Sequence, residues 1–393
     1  MAKNQYKKEL LKNNVEEMFI GPFGSSLKNE CFVDEEDAYC MVYEQKHAIQ
    51  KTLDGKNRFV DKNKYYELKR FTIKPGDIIV SCRGTIGETF IVPENAPLGI
   101  MHPSIMKIRL KPNVYNIEYF NLLLKNRLKD YNKSANGSGI KMAISASELG
   151  KEMFPIPPMD EQQKVSKIFL TVDRLIVLRQ QQLAKLDELV KARFVEMFGD
   201  INVNNKKWMT YPLGELCTIV RGGSPRPIER YLGGTIPWIK IGDATTGENI
   251  YLNSTKEYII QEGVKKSRMI KAGSLIFANC GVSLGFARII TFDGCIHDGW
   301  LAMEDIDEKL DKIFLLYSLN QMTEYFRKTA PAGTQPNLNT NIMKMHRQIV
   351  PPMEMQKAFI SFVKCADRQK QIVQQSLEKL ELMKKALMQE YFG

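Results

Sequence analysis

The chain contains 393 residues, of which 44% are apolar, and carries a formal net charge of +11. This length exceeds what one ordinary hydrophobic core supports and predicts two or more domains, while the apolar content excludes a disordered chain. The cationic excess favours a polyanionic partner, with nucleic acid as the first candidate; a basic protein without such a partner is the alternative.

The cysteines and the N-terminus indicate an intracellular protein. The seven cysteines form no CxxC pair and follow no regular spacing, which is typical of reduced thiols rather than of a disulfide framework or a zinc site. The first residues, MAKNQYKKELLKNNVEEMF, lack the apolar run of a signal peptide. No stretch approaches the ~18 apolar residues of a membrane span. We therefore expect a cytoplasmic protein with no membrane contact.

The predicted elements alternate, in chain order, between mixed α/β globules and long helices. Strand composition, bounded by Gly- and Pro-rich turns, marks GDIIVSC (76–82), IMKIRL (105–110), SLIFAN (274–279) and GFARIITF (285–292). Helical periodicity marks residues 115–132 and 311–328 within the globules. The order of the strands does not follow from the sequence.

One half of the chain repeats the other. Residues 156–199 and 350–393 agree at 16 positions without a gap, at an offset of 194 residues. The similarity extends into the globules, where IKPGDIIVSCRGTIG resembles IKAGSLIFANCGVSLG, and where His102 and His297 occupy comparable places. Because proline disfavours helix in the residue before it, each PP pair marks a helix start. The predicted organisation is two globules, 1–155 and 200–349, each followed by a long helix, 156–199 and 350–393.

The repeated helices carry a narrow apolar stripe at 3-4 spacing. In the first helix it falls into two runs that are out of phase across RQQQ (179–182), and the second helix has one matching run. The stripe residues are Val165, Ile168, Val172, Leu183, Leu186, Val190, Leu377, Leu380, Met383 and Leu387. A seam this narrow is buried against another helix, so we predict an antiparallel coiled coil of the two copies. The alternative folds each helix back on its own globule.

The motifs of common catalytic centres are missing. The sequence has no phosphate-binding GxxxxGK[ST] loop, no dinucleotide fingerprint after a strand and no HExxH, and its four histidines are scattered. The segment GSGIK (137–141) has the composition of a phosphate-binding loop, but such a loop is more often a turn. We therefore predict neither a catalytic centre nor a metal site in this chain.

Four groups of residues resemble the specificity subunit of type I restriction–modification systems. They are IGPFGSSLKNECFV with YCMVYEQKHAI (20–49), GDIIVSCRGTIG (76–87), RGGSPRPIERYLGGTIPWIKIGDAT (221–245) and the two PPM…Q helices. The resemblance covers nearly the whole chain in the expected order. It departs from the family at the N-terminus, where a charged segment stands in place of the usual opening strand.

The resemblance implies two mixed α/β target recognition domains that each read half of a split DNA site. It also implies that the paired helices separate the domains and dock methyltransferase subunits, which we expect to number two. Those partners would carry S-adenosylmethionine and methylate adenine, so no cofactor is expected in this chain. Motor–nuclease restriction subunits are a further possible partner. A rigid helical strut would fix the spacing of the half-sites.

Candidate DNA-contacting residues are polar side chains in predicted exposed loops, because base edges are read by hydrogen bonds and phosphates are held by cations. In the first domain they are Ser25, Ser26, Lys28, Arg83, Thr85, His102 and Lys141. In the second they are Arg221, Ser224, Arg226, Lys240, Asn279, Ser283, His297, Gln335 and Asn337. Structural roles are the alternative: the serines cap a turn, the histidines belong to a core, and Asn279 closes a strand end.

Two other functions remain open from the sequence. A duplicated scaffold on a coiled coil has the same organisation but predicts weak, salt-insensitive DNA binding, whereas phosphate contacts weaken steeply with salt. The second alternative is DNA recognition in a different modification or defence system. Because the loops of the two globules differ, we expect them to read different half-sites.

Overall fold

The computed structural model describes residues 6–135, 145–245, 250–281, 283–330 and 337–393. The chain divides into two compact units. The first comprises Met1–Leu178 together with Ser376–Gly393, and the second comprises Arg179–Gln375. Among the described residues, no helix is both long and apolar enough to cross a membrane.

The first unit contains two four-stranded sheets and one short pair. Its elements in chain order are β1 (Lys8–Leu10), β2 (Val15–Ile20), β3 (Cys40–Tyr43), α1 (Gln45–Gln50), β4 (Phe59–Val60), α2 (Lys62–Glu67), β5 (Thr72–Ile73), β6 (Ile78–Ser81), β7 (Thr89–Ile91), β8 (Gly99–Met101), β9 (Ile105–Leu110), α3 (Ile117–Ala135), α4 (Ala146–Gly150), β10 (Met153–Pro155) and the start of α5 (Met159–Phe198). One sheet has the order β2-β9-β6-β7 and is antiparallel. The other has the order β4-β3-β8-β5, with β3 and β8 parallel.

The second unit repeats this topology. Its elements are β11 (Thr210–Pro212), α6 (Leu213–Leu216), β12 (Thr218–Arg221), β13 (Leu232–Ile239), β14 (Tyr251–Leu252), β15 (Glu257–Ile259), α7 (Gln261–Val264), β16 (Arg268–Ile270), β17 (Leu275–Ala278), β18 (Ala287–Ile290), β19 (Gly294–Ile296), β20 (Trp300–Glu304), α8 (Lys312–Gln321), α9 (Thr323–Thr329), α10 (Thr340–Met345), β21 (Arg347–Ile349) and α11 (Met353–Phe392), of which α11 ends in the first unit. The sheet β12-β20-β17-β18-β14 matches β2-β9-β6-β7 with one added strand. The sheet β15-β13-β19-β16 matches β4-β3-β8-β5, and β13 and β19 are parallel as β3 and β8 are. The predicted internal repeat is therefore confirmed at the level of strand order.

The central strands are apolar on both faces because both faces are covered. In β6, Ile78 and Val80 lie in a core with Phe120 of α3, whereas Ile79 lies in a separate core with Tyr43 of β3. Successive side chains of a strand point to opposite faces of the sheet, so an unbroken apolar run indicates a strand that is buried on both sides. The strand β17 repeats the arrangement: Leu275 and Phe277 face one core and Ile276 faces another.

The long helices α5 and α11 pack in opposite directions. In the first unit the start of α5 meets the end of α11: the ring centroids of Phe169 and Phe392 are 5.8 Å apart. In the second unit the end of α5 meets the start of α11, with the centroids of Phe194 and Phe359 5.3 Å apart. The antiparallel pairing predicted from the sequence is confirmed.

Buried and half-buried side chains recur at 3-4 spacing along both helices, beside further buried ones such as Phe194 and Phe198, and the recurring positions repeat at the offset of 194 residues. In α5 they are Gln162, Val165, Phe169, Val172, Ile176, Arg179, Leu183, Leu186, Val190, Arg193 and Met197. In α11 they are Gln356, Phe359, Val363, Ala366, Lys370, Val373, Leu377, Leu380, Lys384, Leu387 and Tyr391. Each of these side chains is buried or half-buried, which is the geometry of a coiled-coil seam.

Two details of the predicted seam are wrong. The runs in α5 are not out of phase, because Arg179 occupies the seam position that joins them. Met383 is 43% exposed, because the seam position is the neighbouring Lys384, whose Nζ lies 2.5 Å from Asp173 Oδ1 within the first unit. A lysine reaches such a position by burying its aliphatic stem and turning its ammonium to a carboxylate. Ile168 is half-buried, beside the seam residue Phe169.

The glutamine of each PPM…Q motif fastens its helix to the preceding domain. In the first unit, Gln162 accepts the amide of Asn116 at 2.8 Å and donates to the carbonyls of Val114 and Pro157. In the second unit, Gln356 accepts the amide of Asp311 at 2.8 Å and donates to two backbone carbonyls in the same way. Both glutamines are almost fully buried, so the motif is repeated because three backbone groups depend on it.

Two predicted elements need correction. The charged N-terminal segment does not replace the opening strand: β1 lies within it and pairs antiparallel with β10, as β11 pairs with β21. The helix expected over 311–328 is divided into α8 and α9 at Met322, whose backbone (φ −94°, ψ 8°) leaves the helical region while its side chain is buried. The segment GSGIK lies outside the described residues.

Candidate nucleic-acid interface

In the first unit, the loop after β2 lies against His102, which follows β8. A Cβ atom on Gly21 would stand 2.3 Å from the carbonyl oxygen of His102, so only glycine allows this approach. The imidazole Nδ1 accepts the amide of Ser104 at 3.2 Å and lies 2.7 Å from its hydroxyl. Burial lowers the pKa of His102. The ring is therefore neutral at pH 7 and carries its proton on Nε2, where it is a hydrogen-bond donor.

The second unit builds the same arrangement around His297, which follows β19. A Cβ atom on Gly222 would stand 2.2 Å from the carbonyl oxygen of His297. The imidazole Nδ1 accepts the amide of Gly299 at 2.9 Å, and burial lowers the pKa of His297. Its backbone amide donates to Ile239 at the end of β13, as that of His102 donates to Tyr43 at the end of β3. The two histidines are thus structural equivalents.

Asp298, the residue after His297, gathers the polar side chains of the loop that follows β12. We call Arg221, Ser224, Arg226, His297 and Asp298 the Asp298 cluster. The Ser224 hydroxyl donates to Asp298 Oδ1 at 2.8 Å, and Arg221 Nε donates to the Asp298 carbonyl at 2.9 Å. Arg226 Nη2 lies 3.8 Å from Asp298 Oδ2, and His297 Nδ1 lies 3.0 Å from Asp298 Oδ1. Four of the predicted residues therefore meet around one aspartate that the sequence analysis did not select, three of them at its carboxylate and Arg221 at its backbone carbonyl.

The ion pair beside each histidine is reversed between the units. In the first unit Glu44, directly after β3, pairs with Arg58, which stands before β4. In the second unit Lys240, directly after β13, pairs with Glu257 at the start of β15. Lys240 also lies 5.0 Å from the ring of Trp238, which is buried and stands 5.4 Å from His297. The same backbone position thus presents an acid in one unit and a base in the other.

The remaining predicted residues differ in their exposure. Ser25, Lys28, Arg83 and Thr85 are exposed, in the loop after β2 and in the turn between β6 and β7; Ser26 in the first unit and Ser283 and Asn337 in the second are half-buried. Asn279 is fully buried, which corrects its assignment to an exposed loop. Its amide donates to Gly299, its carbonyl accepts from Leu338, and its side chain donates to Asn337 at 3.1 Å, so it closes the end of β17. Lys141 and Gln335 lie outside the described residues.

The sequence analysis missed Asp298, Glu44, Arg58 and Arg268. Arg268 Nε donates to the carbonyl of Arg221 at 2.9 Å and so stands beside the Asp298 cluster. The position of these residues in the sequence could have identified two of them. Asp298 directly follows the predicted DNA-contacting residue His297, and Glu44 directly follows the strand CMVY. Residues that terminate parallel strands face the same edge of a sheet, which places them together without any similarity between their sequences.

An acidic cavity in the second unit is separate from the predicted DNA-contacting residues. A cavity of about 650 Å³ in the second unit is lined by several acids, among them Asp305, Asp307 and Asp311, and by none of the predicted DNA-contacting residues. Its lining repels phosphate. Within the described ranges, no group of three or more His, Cys, Asp or Glu side chains is arranged to hold a metal ion.

Comparison with known proteins gives the same family twice along the chain. The family model described as "Type I restriction modification DNA specificity domain" matches residues 36–188 and again 205–382. The chain belongs to this family. It is 24% identical over 353 residues to the putative type I restriction enzyme MjaX specificity subunit of Methanocaldococcus jannaschii, covering 84% of this chain and 80% of that protein. It is 22% identical over 349 residues to the MjaVIII specificity subunit of the same organism, covering 81% and 79%.

Solved structures share the fold. A chain from a type I R-M system studied for complex assembly and conformational transition superposes with a TM-score of 0.65 at 15% identity, covering 100% of this chain and 98% of that one. The S subunit of a type I restriction-modification system from M. genitalium superposes with a TM-score of 0.55, also at 15% identity, covering 100% and 98%. These likenesses establish two mixed α/β domains joined by an antiparallel helix pair as the architecture of this chain.

Proposed function

We propose that this chain reads a bipartite DNA site and brings methyltransferase subunits to it. Residues 1–155 and 200–349 act as the two recognition domains, and residues 156–199 and 350–393 act as the spacer helices. The observation that carries the proposal is the pair of equivalent histidines, each set at a sheet edge beside loops that present a lysine or arginine side chain. Neutral Nε2–H groups and guanidinium groups are donors suited to base edges and phosphates.

The charge distribution supports a DNA-facing role for the domains. Residues 1–155 contain 24 Lys and Arg against 19 Asp and Glu, and residues 200–349 contain 18 against 15, so most of the net charge of +11 lies outside the helices. Binding that rests on phosphate contacts should weaken steeply with salt, whereas a scaffold without DNA affinity should not respond.

The chain itself supplies recognition, and its partners supply chemistry. We infer that S-adenosylmethionine is bound by the methyltransferase partner, which methylates adenine, and that this chain holds no cofactor. Motor–nuclease subunits are a further partner of the same assembly.

Two docking positions for methyltransferases recur on the helices. Leu178 and Ile372 are equivalent at the offset of 194 residues, and are 47% and 60% exposed. Leu189 and Met383 are equivalent in the same way, and are 50% and 43% exposed. Exposed apolar side chains at repeated positions fit two copies of one partner, each meeting the same surface.

The test is to map methylated adenine across the genome of the source cell with and without this gene. Loss of one split motif, methylated on both strands, is the expected result. Exchange of residues 200–349 for those of a relative should then alter only one half of the motif. Unchanged methylation in the deletion strain, together with salt-insensitive DNA binding by the purified protein, would contradict the proposal.

A further inference from the structure

The loop that follows β12 is held rigidly against the β19–β20 connection in the second unit. The amides of Gly222 and Gly223 donate to the carbonyls of Trp300 and Ile296, at 2.9 Å and 3.0 Å. The Ser267 hydroxyl donates to the carbonyl of Gly223 at 2.7 Å. These bonds fix the backbone from which Ser224 and Arg226 project, so a ligand of the Asp298 cluster meets an ordered surface.

The hydrogen-bonding capacity of the cluster is dominated by donors. Arg226 is 80% exposed, its Nη2 lies 3.8 Å from Asp298 Oδ2, and a guanidinium carries five N–H groups. The acceptor of the cluster is engaged from within, since Asp298 Oδ1 takes the Ser224 hydroxyl and Oδ2 faces Arg226.

A surface of adjacent donors selects a base with adjacent acceptors. In the major groove guanine offers N7 and O6 together, adenine pairs its N7 with an amino donor, and cytosine offers a donor. We propose that the Asp298 cluster reads a guanine in the half-site of the second domain, with Arg226 donating to both its N7 and its O6 and Asp298 as the positioning residue. This inference rests on the proposed function.

The first unit lacks the cluster, so the inference applies to one half-site only. The residue after His102 is Pro103, and the next is Ser104 where the second unit has Gly299. The carboxylate whose charge acts on His102 is that of Glu44, which directly follows β3, whereas the carboxylate beside His297 belongs to the next residue, Asp298. The same histidine geometry is therefore combined with a differently placed acid.

The experiment uses the full chain purified with its methyltransferase subunits and duplexes that carry the mapped motif. Each guanine of the half-site assigned to residues 200–349 is replaced singly by 7-deazaguanine, which has C–H in place of N7, or by inosine, which keeps N7 and O6. At one position 7-deazaguanine should weaken binding about 10- to 100-fold while inosine has little effect. Arg226→Ala should weaken binding to the unmodified duplex similarly and be insensitive to 7-deazaguanine at that position.

Asp298→Asn separates positioning from simple electrostatics. Loss of a negative charge beside DNA should strengthen binding if Asp298 only repels phosphate. If Asp298 orients Ser224 and Arg226, the ratio of affinities for guanine and 7-deazaguanine should fall about fivefold or more. Asp293→Asn is the matched control, because it removes the same charge at an exposed site in the same unit and should leave this ratio unchanged.

Three results would overturn the inference: a second half-site without guanine, tolerance of 7-deazaguanine at every position there, or an unchanged ratio in both Arg226→Ala and Asp298→Asn. The proposed function is judged separately, by whether the wild-type complex prefers the motif duplex over a scrambled one. A preference for the motif combined with any of the three results rejects the guanine assignment alone.

Discussion

Replacing Gln356 by alanine should destabilise the second unit, and replacing Gln162 should destabilise the first. Each glutamine makes three hydrogen bonds to backbone groups, with distances between 2.8 and 3.1 Å. The exposed fractions of the two side chains are 0% and 1%. Alanine would leave one amide and two carbonyls without these partners in each unit, where water has little access.

The magnitude follows from the number of bonds lost. A buried group left unsatisfied costs roughly 1–3 kcal/mol, and relaxation or an entering water recovers part of it. Three groups therefore give a loss of about 3 kcal/mol per unit. The adjacent Gln163 is exposed, so Gln163→Ala should change the stability by less than about 0.5 kcal/mol and serves as the control.

The assay is hydrogen exchange of the amide that each glutamine binds, followed in parallel with chemical denaturation. Exchange at Asn116 should accelerate in Gln162→Ala but not in Gln356→Ala, and exchange at Asp311 should show the reverse. If both variants behave like Gln163→Ala, or if each accelerates exchange in the wrong unit, the PPM…Q motif does not fasten the helices in the way described.

Further predictions concern pH, partner docking and salt. Burial lowers the pKa of His346 to about 4 from its ordinary value of 6.5, so the unfolded chain binds the proton at a higher pH than the folded chain does. The free energy of unfolding should therefore fall by about 3 kcal/mol as the pH drops from 6.5 to 4. Chemical denaturation of His346→Phe should show a weaker dependence of this free energy on pH. Each of the variants Leu186→Asp and Leu380→Asp places a charge in the seam, so it should lower both the thermal stability and the binding of methyltransferase subunits in a pull-down. Leu189→Asp changes an exposed position and should lower this binding alone. Normal binding by the seam variants would show that the seam is misassigned. Lys28→Ala should weaken binding to all duplexes alike and reduce the slope of log K against log salt by about 1, and an unchanged slope would place Lys28 away from phosphate.

The local pattern of apolar residues was enough to predict the strands that are covered on both faces. The run IMKIRL coincides with β9, and the strands β6, β17 and β18 lie inside the predicted segments, because strands covered on both faces are mainly apolar. The offset of 194 residues predicted the repeat, and the antiparallel pairing followed from the narrow stripe. These features depend on residues close together in the chain or on direct comparison of its two halves.

The features that were missed depend on contacts between distant residues. The strand β1 exists because it pairs with β10, about 145 residues away, although its own sequence KEL has no strand character. The seam phase was misread because Arg179 and Lys384 occupy seam positions through their aliphatic stems, while the apolar Met383 faces outward. Asp298 could not be selected before the loop after β12 was known to lie against it.

The repeat separates what holds the fold from what faces a ligand. Several residues that are identical in the two halves have backbone roles: Gly21 and Gly222 each leave room for a histidine carbonyl oxygen, and the two motif glutamines accept equivalent backbone amides. Residues at the sheet edges differ in kind, since an acid in one unit stands where the other has a base. A duplicated scaffold with opposite charges at equivalent edges cannot present the same hydrogen-bonding pattern twice. The two domains should therefore read different half-sites, and we propose that the repeated exposed positions on the helices dock two copies of one partner.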